Sequence, residues 1–180
     1  FLDRDDTVVE DVPYLTDPAG LRVLPGAAEA MTTLRLAGFA LVLATNQSVV
    51  GRGMLSEEGL RAIHDELERL LAAEGASLDA IYHCPHAPRD ESDFHPDRKP
   101  APGMLLRAAE ELGLDPSRSW MIGDRMSDVR AGLSAGCRSI LVGRCPIPND
   151  SLNPADDGRV FAAVDLIAAA KLILADLETP

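Results

Sequence analysis

Acidic residues cluster at two widely separated points of this 180-residue sequence, each directly after an apolar run. Asp3 and Asp5 follow the first two residues, and Asp124 and Asp128 follow an apolar run near position 120. Carboxylates gathered in one place repel each other, at a cost of about 4 kcal/mol for two unit charges 4 Å apart at an effective dielectric near 20. A divalent cation removes that cost, and oxygen ligands favour Mg²⁺. The two clusters therefore predict a magnesium site if the fold brings them together.

Two further polar groups follow apolar runs and suit phosphoryl chemistry. Thr45 follows residues 39–44, and Lys99 ends a segment rich in Pro, Asp and Arg. Asp3 and Asp5 are two residues apart, so they share one face of an extended strand, where one can attack while the other handles a proton. Lys99 supplies positive charge to a phosphoryl group, and the Thr45 hydroxyl can hydrogen-bond its oxygens. The set predicts metal-assisted phosphoryl transfer.

The elements that must position these residues alternate between strand-like apolar runs and helical patterns. This alternation predicts a three-layer, Rossmann-like α/β fold with a doubly wound, mostly parallel sheet and helices on both faces. Predicted strands cover residues 1–2, 39–44, 80–83, 120–122 and 139–142. Predicted helices cover residues 25–36, 56–74 (with Ser56 as N-cap), 102–112, 127–135 and 166–177. Ligands bind at the carboxyl ends of such strands, which is where the polar residues stand.

We expect one domain over residues 1–180, with residues 87–100 as an ordered functional loop. The net charge of −12 makes the chain a poor binder of nucleic acid or anionic membranes. Its longest apolar runs, residues 39–45 and 161–170, are too short to span a bilayer. Three cysteines (Cys84, Cys137 and Cys145) form no disulfide framework, and no secretory leader is visible. We expect a cytoplasmic monomer without a nucleic-acid or membrane partner.

Four segments in order resemble the haloacid-dehalogenase-like phosphatases: FLDRDDT, the Thr of LATNQS, the Lys of RKPAPG, and GDRMSD. Within that superfamily the segments FLDRD, DVPYL, TNQS, CPHAP and RKPAPGML look most like the D-glycero-D-manno-heptose-1,7-bisphosphate 7-phosphatases. Histidinol-phosphate phosphatases are close relatives. The spacing of Thr7, Thr45 and Lys99 leaves no room for a large cap domain.

The resemblance implies an Mg²⁺-dependent phosphomonoesterase that removes the 7-phosphate of a small phosphorylated sugar, the heptose 1,7-bisphosphate. Hydrolysis of histidinol phosphate or of another small phosphorylated metabolite is the alternative within enzymes. A catalytically silent binding domain is the alternative from another class. By resemblance, Asp3 is the nucleophile that forms an aspartyl-phosphate, and Asp5 is the general acid and base. Thr45 and Lys99 hold the transferring phosphoryl group.

The same resemblance assigns metal and substrate positions. Mg²⁺ would take the carboxylates of Asp3 and Asp124 and the backbone carbonyl of Asp5, with Asp128 supporting the metal's surroundings. The positions expected to face the substrate are Asp11, Tyr14, Asn46, Gln47, Arg52, Arg98 and Arg125.

Two positions depart from the family pattern. Asp6 stands where the family usually has Gly; Asp tolerates left-handed φ better than most residues, and we expect its side chain to point to solvent. Related enzymes also carry a zinc site of pattern C-x-H followed by C-x-C. Here Cys84 and His86 keep the first half, whereas the second half reads His95-Pro96-Asp97. Zn²⁺ accepts S, N and O ligands, so a zinc site and a zinc-free loop held by prolines and hydrogen bonds both stay open.

Overall fold

The computed structural model describes residues 1–90, 92–143 and 158–177; Cys145 lies outside them. The strands are β1 (Val42–Asn46), β2 (Ala80–Cys84), β3 (Trp120–Gly123), β4 (Arg138–Val142) and β5 (Val160–Ala163). The α-helices are α1 (Ala27–Leu36), α2 (Ser48–Gly51), α3 (Glu57–Ala73), α4 (Gly103–Leu112), α5 (Met126–Ala135) and α6 (Leu166–Leu177). Short 3-10 turns occupy Pro18–Gly20 and Pro116–Arg118.

The N-terminal segment completes a parallel sheet at its centre. β1 pairs with β2, and β4 pairs with β3 and β5, all in parallel. These pairings leave two groups of strands, β1 with β2 and β3 with β4 and β5, and the N-terminal segment joins them. On the β1 side, the Leu2 N–H donates to the Val42 carbonyl and the Leu2 carbonyl accepts the Ala44 N–H, both at 2.8 Å. Asp3 donates its N–H to the Ile122 carbonyl at 2.9 Å. The order across the sheet is therefore β2, β1, the N-terminal segment, β3, β4 and β5.

Side chains alternate between the two faces of the sheet, as the strand period of two requires. Leu43 and Ile122 lie in one hydrophobic cluster with α1, α3 and α6. Their neighbours Ala44 and Met121 lie in a second cluster with α4 and with the end of α5. Helices thus cover both faces, and the predicted three-layer α/β class is confirmed.

The predicted elements lie close to the observed ones. Ser56 caps α3, because its Oγ accepts the Gly59 N–H at 3.0 Å. The short helix α2 and the strand β5 were not predicted. The apolar run 161–170 contains both the end of β5 and the start of α6, so its composition alone did not separate them. Within the described residues, no helix is long and apolar enough to cross a bilayer.

Candidate active site

Three carboxylates meet at the carboxyl ends of the central strands. Asp3 ends the N-terminal segment, Asp124 follows β3, and Asp128 lies in the first turn of α5. Each contributes one oxygen to a group in which the oxygens all lie within 4.8 Å of one another. We call these three residues the acid cluster. A side chain at Gly123 would not fit here, since a Cβ atom would lie 2.4 Å from the Asp128 carboxyl carbon.

Lys99 is buried against two members of the acid cluster. Its Nζ lies 2.6 Å from Asp3 Oδ1 and 2.7 Å from Asp128 Oδ1, and it donates to the Ala44 carbonyl at 2.7 Å. Burial alone would lower the pKa of the Lys99 ammonium, but the carboxylates of Asp3 and Asp128 outweigh it and raise that pKa. Lys99 is therefore a fixed cation inside the site.

Two cations face the three carboxyl groups, because Arg125 Nε lies 3.4 Å from Asp124 Oδ2 in addition to the contacts of Lys99. Burial, reinforced by the charges of Asp3 and Asp128, raises the pKa of Asp124 to about 6. Burial also raises the pKa of Asp128, against the pull of Lys99. Among the described residues, none is a hydrogen-bond partner of the buried Asp124 Oδ1. An oxygen set with an unpartnered buried carboxylate oxygen and too little positive charge fits Mg²⁺.

The carboxylate of Asp5 is fixed beside the acid cluster. Arg4 donates Nε to Asp5 Oδ1 at 2.9 Å and Nη2 to Oδ2 at 3.1 Å. Gln47 donates Nε2 to Asp5 Oδ2 at 3.1 Å and to Thr45 Oγ1 at 2.9 Å. Burial is the main cause that raises the pKa of Asp5, with the Arg4 guanidinium opposing it. A held carboxyl with a raised pKa suits a general acid.

Arg4 was missed by the sequence reasoning, although it stands between the two candidate catalytic aspartates. A charged residue in a strand-end motif is a signal, but its partner depends on side-chain placement. The side chain of Arg4 is 3% exposed, which makes the pair with Asp5 a constrained one.

Asn46 and Gln47 line the cavity, but their side-chain amides form hydrogen bonds with other groups of the protein. The Asn46 side chain donates to the Lys99 carbonyl at 3.0 Å and accepts the Lys99 N–H at 3.1 Å. The end of β1 thereby fixes the backbone that carries Lys99. Both residues were predicted to face the substrate; the structure gives them the additional task of positioning Lys99, Asp5 and Thr45.

A cavity of about 490 Å³ opens beside these groups. The predicted site residues that line it are Asp3, Asp5, Asp11, Tyr14, Thr45, Asn46, Gln47, Arg98, Lys99, Arg125 and Asp128. Arg52 is exposed after α2 and is not among the lining residues. It lies close enough to Arg98 for its charge, together with the larger effect of burial, to lower the pKa of the Arg98 guanidinium. Arg52, which was predicted to face the substrate, therefore does not line the cavity.

Three of the four candidate zinc residues, Cys84, His86 and His95, lie near one another, whereas Asp97 has a different partner. Cys84 Sγ lies 3.6 Å from His95 Nδ1, and the rings of His86 and His95 stack with centroids 5.1 Å apart. Asp97 instead pairs with Arg107 at 2.7 Å. Among the described residues, this set does not bring three ligand atoms within 4.8 Å of one another.

Hydrogen bonds and an Arg89–Asp93 ion pair hold the same loop. His86 Nε2 lies 3.2 Å from Asp93 Oδ1, and Arg89 Nε lies 3.0 Å from Asp93 Oδ2. Arg98 donates to the His86 carbonyl at 2.8 Å. Burial raises the pKa of the Cys84 thiol, which disfavours the thiolate that zinc needs. This geometry fits zinc less well than the acid cluster fits magnesium. We call Cys84, His86, Arg89, Asp93, His95, Asp97 and Arg107 the loop network.

Comparison with known proteins identifies the family. A family model described as "HAD-hyrolase-like" matches residues 97–151, a range that contains Lys99, Asp124 and Asp128. The chain is 37% identical over 161 residues to the D-glycero-beta-D-manno-heptose-1,7-bisphosphate 7-phosphatase of Pasteurella multocida, covering 87% of this chain and 88% of that protein. It is 42% identical over 139 residues to the Yersinia pestis protein of that name, covering 75% of this chain and 74% of the relative. The chain belongs to the heptose-bisphosphate phosphatase family.

Solved structures agree with this family. The D,D-heptose 1,7-bisphosphate phosphatase of B. bronchiseptica, in complex with magnesium and phosphate, matches with a TM-score of 0.81 and 34% identity over 97% of both chains. The predicted superfamily and its heptose-bisphosphate phosphatase branch are confirmed.

Proposed function

We propose that this member of the heptose-bisphosphate phosphatase family is an Mg²⁺-dependent phosphomonoesterase that removes the 7-phosphate of D-glycero-D-manno-heptose 1,7-bisphosphate. The observation that carries the proposal is the placement of Lys99 against Asp3 and Asp128, all three of which line the cavity. The relatives from Pasteurella multocida and Yersinia pestis are named for this reaction on the β anomer.

The acid cluster would hold the metal. Asp3 and Asp124 would supply carboxylates, the backbone carbonyl of Asp5 would add an oxygen, and Asp128 would support this ligand set from beside it. Mg²⁺ supplies positive charge that neutralises phosphoryl oxygens and orients the phosphate. The B. bronchiseptica enzyme, solved with magnesium and phosphate, supports this assignment.

Two displacements at phosphorus account for the reaction. Asp3 attacks the phosphorus, and the bond between phosphorus and the sugar oxygen breaks. The electron pair stays on that oxygen, which takes a proton from Asp5. In the second step Asp5 takes a proton from water, the water oxygen attacks the aspartyl-phosphate, and the Asp3 carboxylate is released.

The neighbouring groups keep this geometry. Lys99 and Thr45 hold the phosphoryl oxygens through positive charge and a hydroxyl hydrogen bond. Arg4 and Gln47 keep the Asp5 carboxyl oriented, and its burial-raised pKa favours carrying the proton that the leaving oxygen needs.

A phosphate-release assay tests the substrate. The panel contains both anomers of heptose 1,7-bisphosphate, heptose 7-phosphate, histidinol phosphate and an aryl phosphate, each with Mg²⁺. We expect the β anomer of the bisphosphate to be preferred. Preference for histidinol phosphate would replace the heptose assignment, and no turnover of any compound would favour a silent binding domain. A monomeric state and a cytoplasmic location stay predictions.

A further inference from the structure

A short loop at the cavity rim lies between two buried residues, Val9 and Leu15, and is itself held by few hydrogen bonds to the other described residues. Residues 11–14, here the recognition loop, line the cavity. The preceding chain is well held: Val8 and Val9 are buried, and Glu10 donates its N–H to the Arg22 carbonyl at 2.9 Å. Tyr14, by contrast, is 57% exposed and has a left-handed φ of 56°.

Two hydrogen bonds at Asp11 connect the recognition loop to other described parts of the chain. Arg125 donates Nη2 to Asp11 Oδ2 at 3.3 Å. Asp6 Oδ1 accepts the Asp11 N–H at 3.1 Å. The Leu15 N–H donates to the Val12 carbonyl, which closes the turn, and the buried Leu15 side chain anchors the far end of the loop but makes no contact that fixes Asp11. The position of Asp11 therefore depends on Asp6 from one side and on Arg125 from the other.

Asp6 adopts a backbone conformation typical of glycine and also carries a hydrogen-bond acceptor. Its φ of 51° lies in the left-handed region that Gly adopts freely and Asp tolerates. Its carboxylate adds an acceptor that Gly lacks. The expectation that Asp6 points only to solvent was incomplete: the side chain is exposed, but it also binds the recognition loop.

We propose that Asp6 is a positioning residue for substrate recognition, acting by holding the Asp11 N–H and with it the recognition loop. This inference rests on the proposed function, since the loop matters for a sugar phosphate that reaches beyond the reacting phosphoryl group. Asp6 takes no part in the two displacements.

Three substitutions separate the acceptor from the backbone conformation. Asp6→Gly removes the acceptor and keeps the left-handed φ without strain. Asp6→Ala removes the acceptor and adds strain, whereas Asp6→Asn keeps both an acceptor oxygen and a tolerance for this φ.

Steady-state kinetics give the first readout. With heptose 1,7-bisphosphate, Asp6→Gly should raise KM about three- to tenfold, the range for the loss of one ordinary, solvent-exposed hydrogen bond, with kcat within about twofold of wild type. KM for an aryl phosphate should not change, because that compound does not need the recognition loop. Asp6→Asn should keep the wild-type KM for the bisphosphate. Equal KM values in wild type and Asp6→Gly would overturn the proposal.

Amide hydrogen exchange gives a readout that does not depend on the substrate. The peptide covering residues 8–15 should exchange faster in Asp6→Gly and Asp6→Ala than in wild type and Asp6→Asn. Unchanged exchange in Asp6→Gly would overturn the tether. If the wild-type protein did not hydrolyse heptose bisphosphate, the proposed function would fail, and the exchange comparison would still decide whether Asp6 holds Asp11.

Discussion

The acid cluster and the loop network both collect residues that bind metals, yet their charges are balanced differently. In the acid cluster, Lys99 and Arg125 are the two cations that face three carboxyl groups, and Asp124 Oδ1 has no hydrogen-bond partner among the described residues. In the loop network, Asp93 and Asp97 are paired with cations of the protein itself. Residue type alone does not distinguish a metal site from a loop whose charges are paired with each other. What distinguishes them is the negative charge that remains uncompensated once the protein's own ion pairs are counted.

Asp3→Asn is the substitution with the largest expected effect. Loss of the proposed nucleophile should lower kcat at least about 10³-fold, because groups of this kind act as a unit with their partners. The matched control in the loop network is Asp93→Asn, which removes a partly exposed ion-pair partner and should leave kcat within roughly twofold. Phosphate release under saturating substrate measures both. An active Asp3→Asn variant would remove the assigned mechanism.

Loss of Lys99 should have the largest effect on stability. Lys99→Met leaves the buried carboxylates of Asp3 and Asp128 without their cation, and breaking a buried pair costs about 3–5 kcal/mol. In the loop network, Arg107→Met removes a partly exposed partner of Asp97 and should cost at most about 1 kcal/mol. Urea unfolding without Mg²⁺ measures both. Equal costs would mean that the two regions do not differ in the way described.

Magnesium binding should depend on pH through Asp124. Its pKa of about 6 in the metal-free protein means that the carboxyl carries a proton below that pH, and Mg²⁺ must displace it. Mg²⁺ affinity should therefore fall as pH drops below 6, approaching about tenfold per pH unit, and level off above it. Calorimetric titration with Mg²⁺ from pH 5 to pH 8 measures this.

The raised pKa of Asp124 also fixes the direction in which the stability of the fold changes with pH. A carboxyl whose folded-state pKa lies above its usual value weakens the metal-free fold as pH rises from about 4 to about 6. The stabilisation by Mg²⁺ should therefore grow over the same interval. Asp93→Asn should leave this profile unchanged, and a Mg²⁺ affinity that is constant between pH 5 and pH 7 would contradict the assignment of Asp124.

Zinc removal should have the smallest effect. Because opposite charges already hold the loop network, chelation of zinc should leave the melting temperature unchanged, and elemental analysis should find much less than one zinc per chain. Asp97→Asn should destabilise the protein by at most about 1 kcal/mol. One bound zinc per chain, together with a melting temperature that falls on chelation, would support the metal alternative instead.

The sequence predicted the order of the layers and the meeting of Asp3, Thr45, Lys99 and Asp124, because strand ends in a parallel sheet share one edge. It did not predict the pairing of Arg4 with Asp5, since that contact depends on which way a buried guanidinium turns. The position of Arg52 outside the cavity wall and the pairing of Asp97 with Arg107 are likewise set by side-chain placement. Strand β5 was missed because its apolar residues run on toward a helix.

The N-terminal segment has a consequence for the order of folding. The residues that carry Asp3 pair with β1 on one side and with β3 on the other, so the central strand cannot gain its second partner before the chain near position 120 is present. Contacts between residues so far apart in the sequence carry a high loop-closure cost and slow folding. During synthesis, a chain that ends before β3 would expose one edge of its central strand. Asp3, the proposed nucleophile, and Asp124 would then come together only after the chain through β3 has been synthesised.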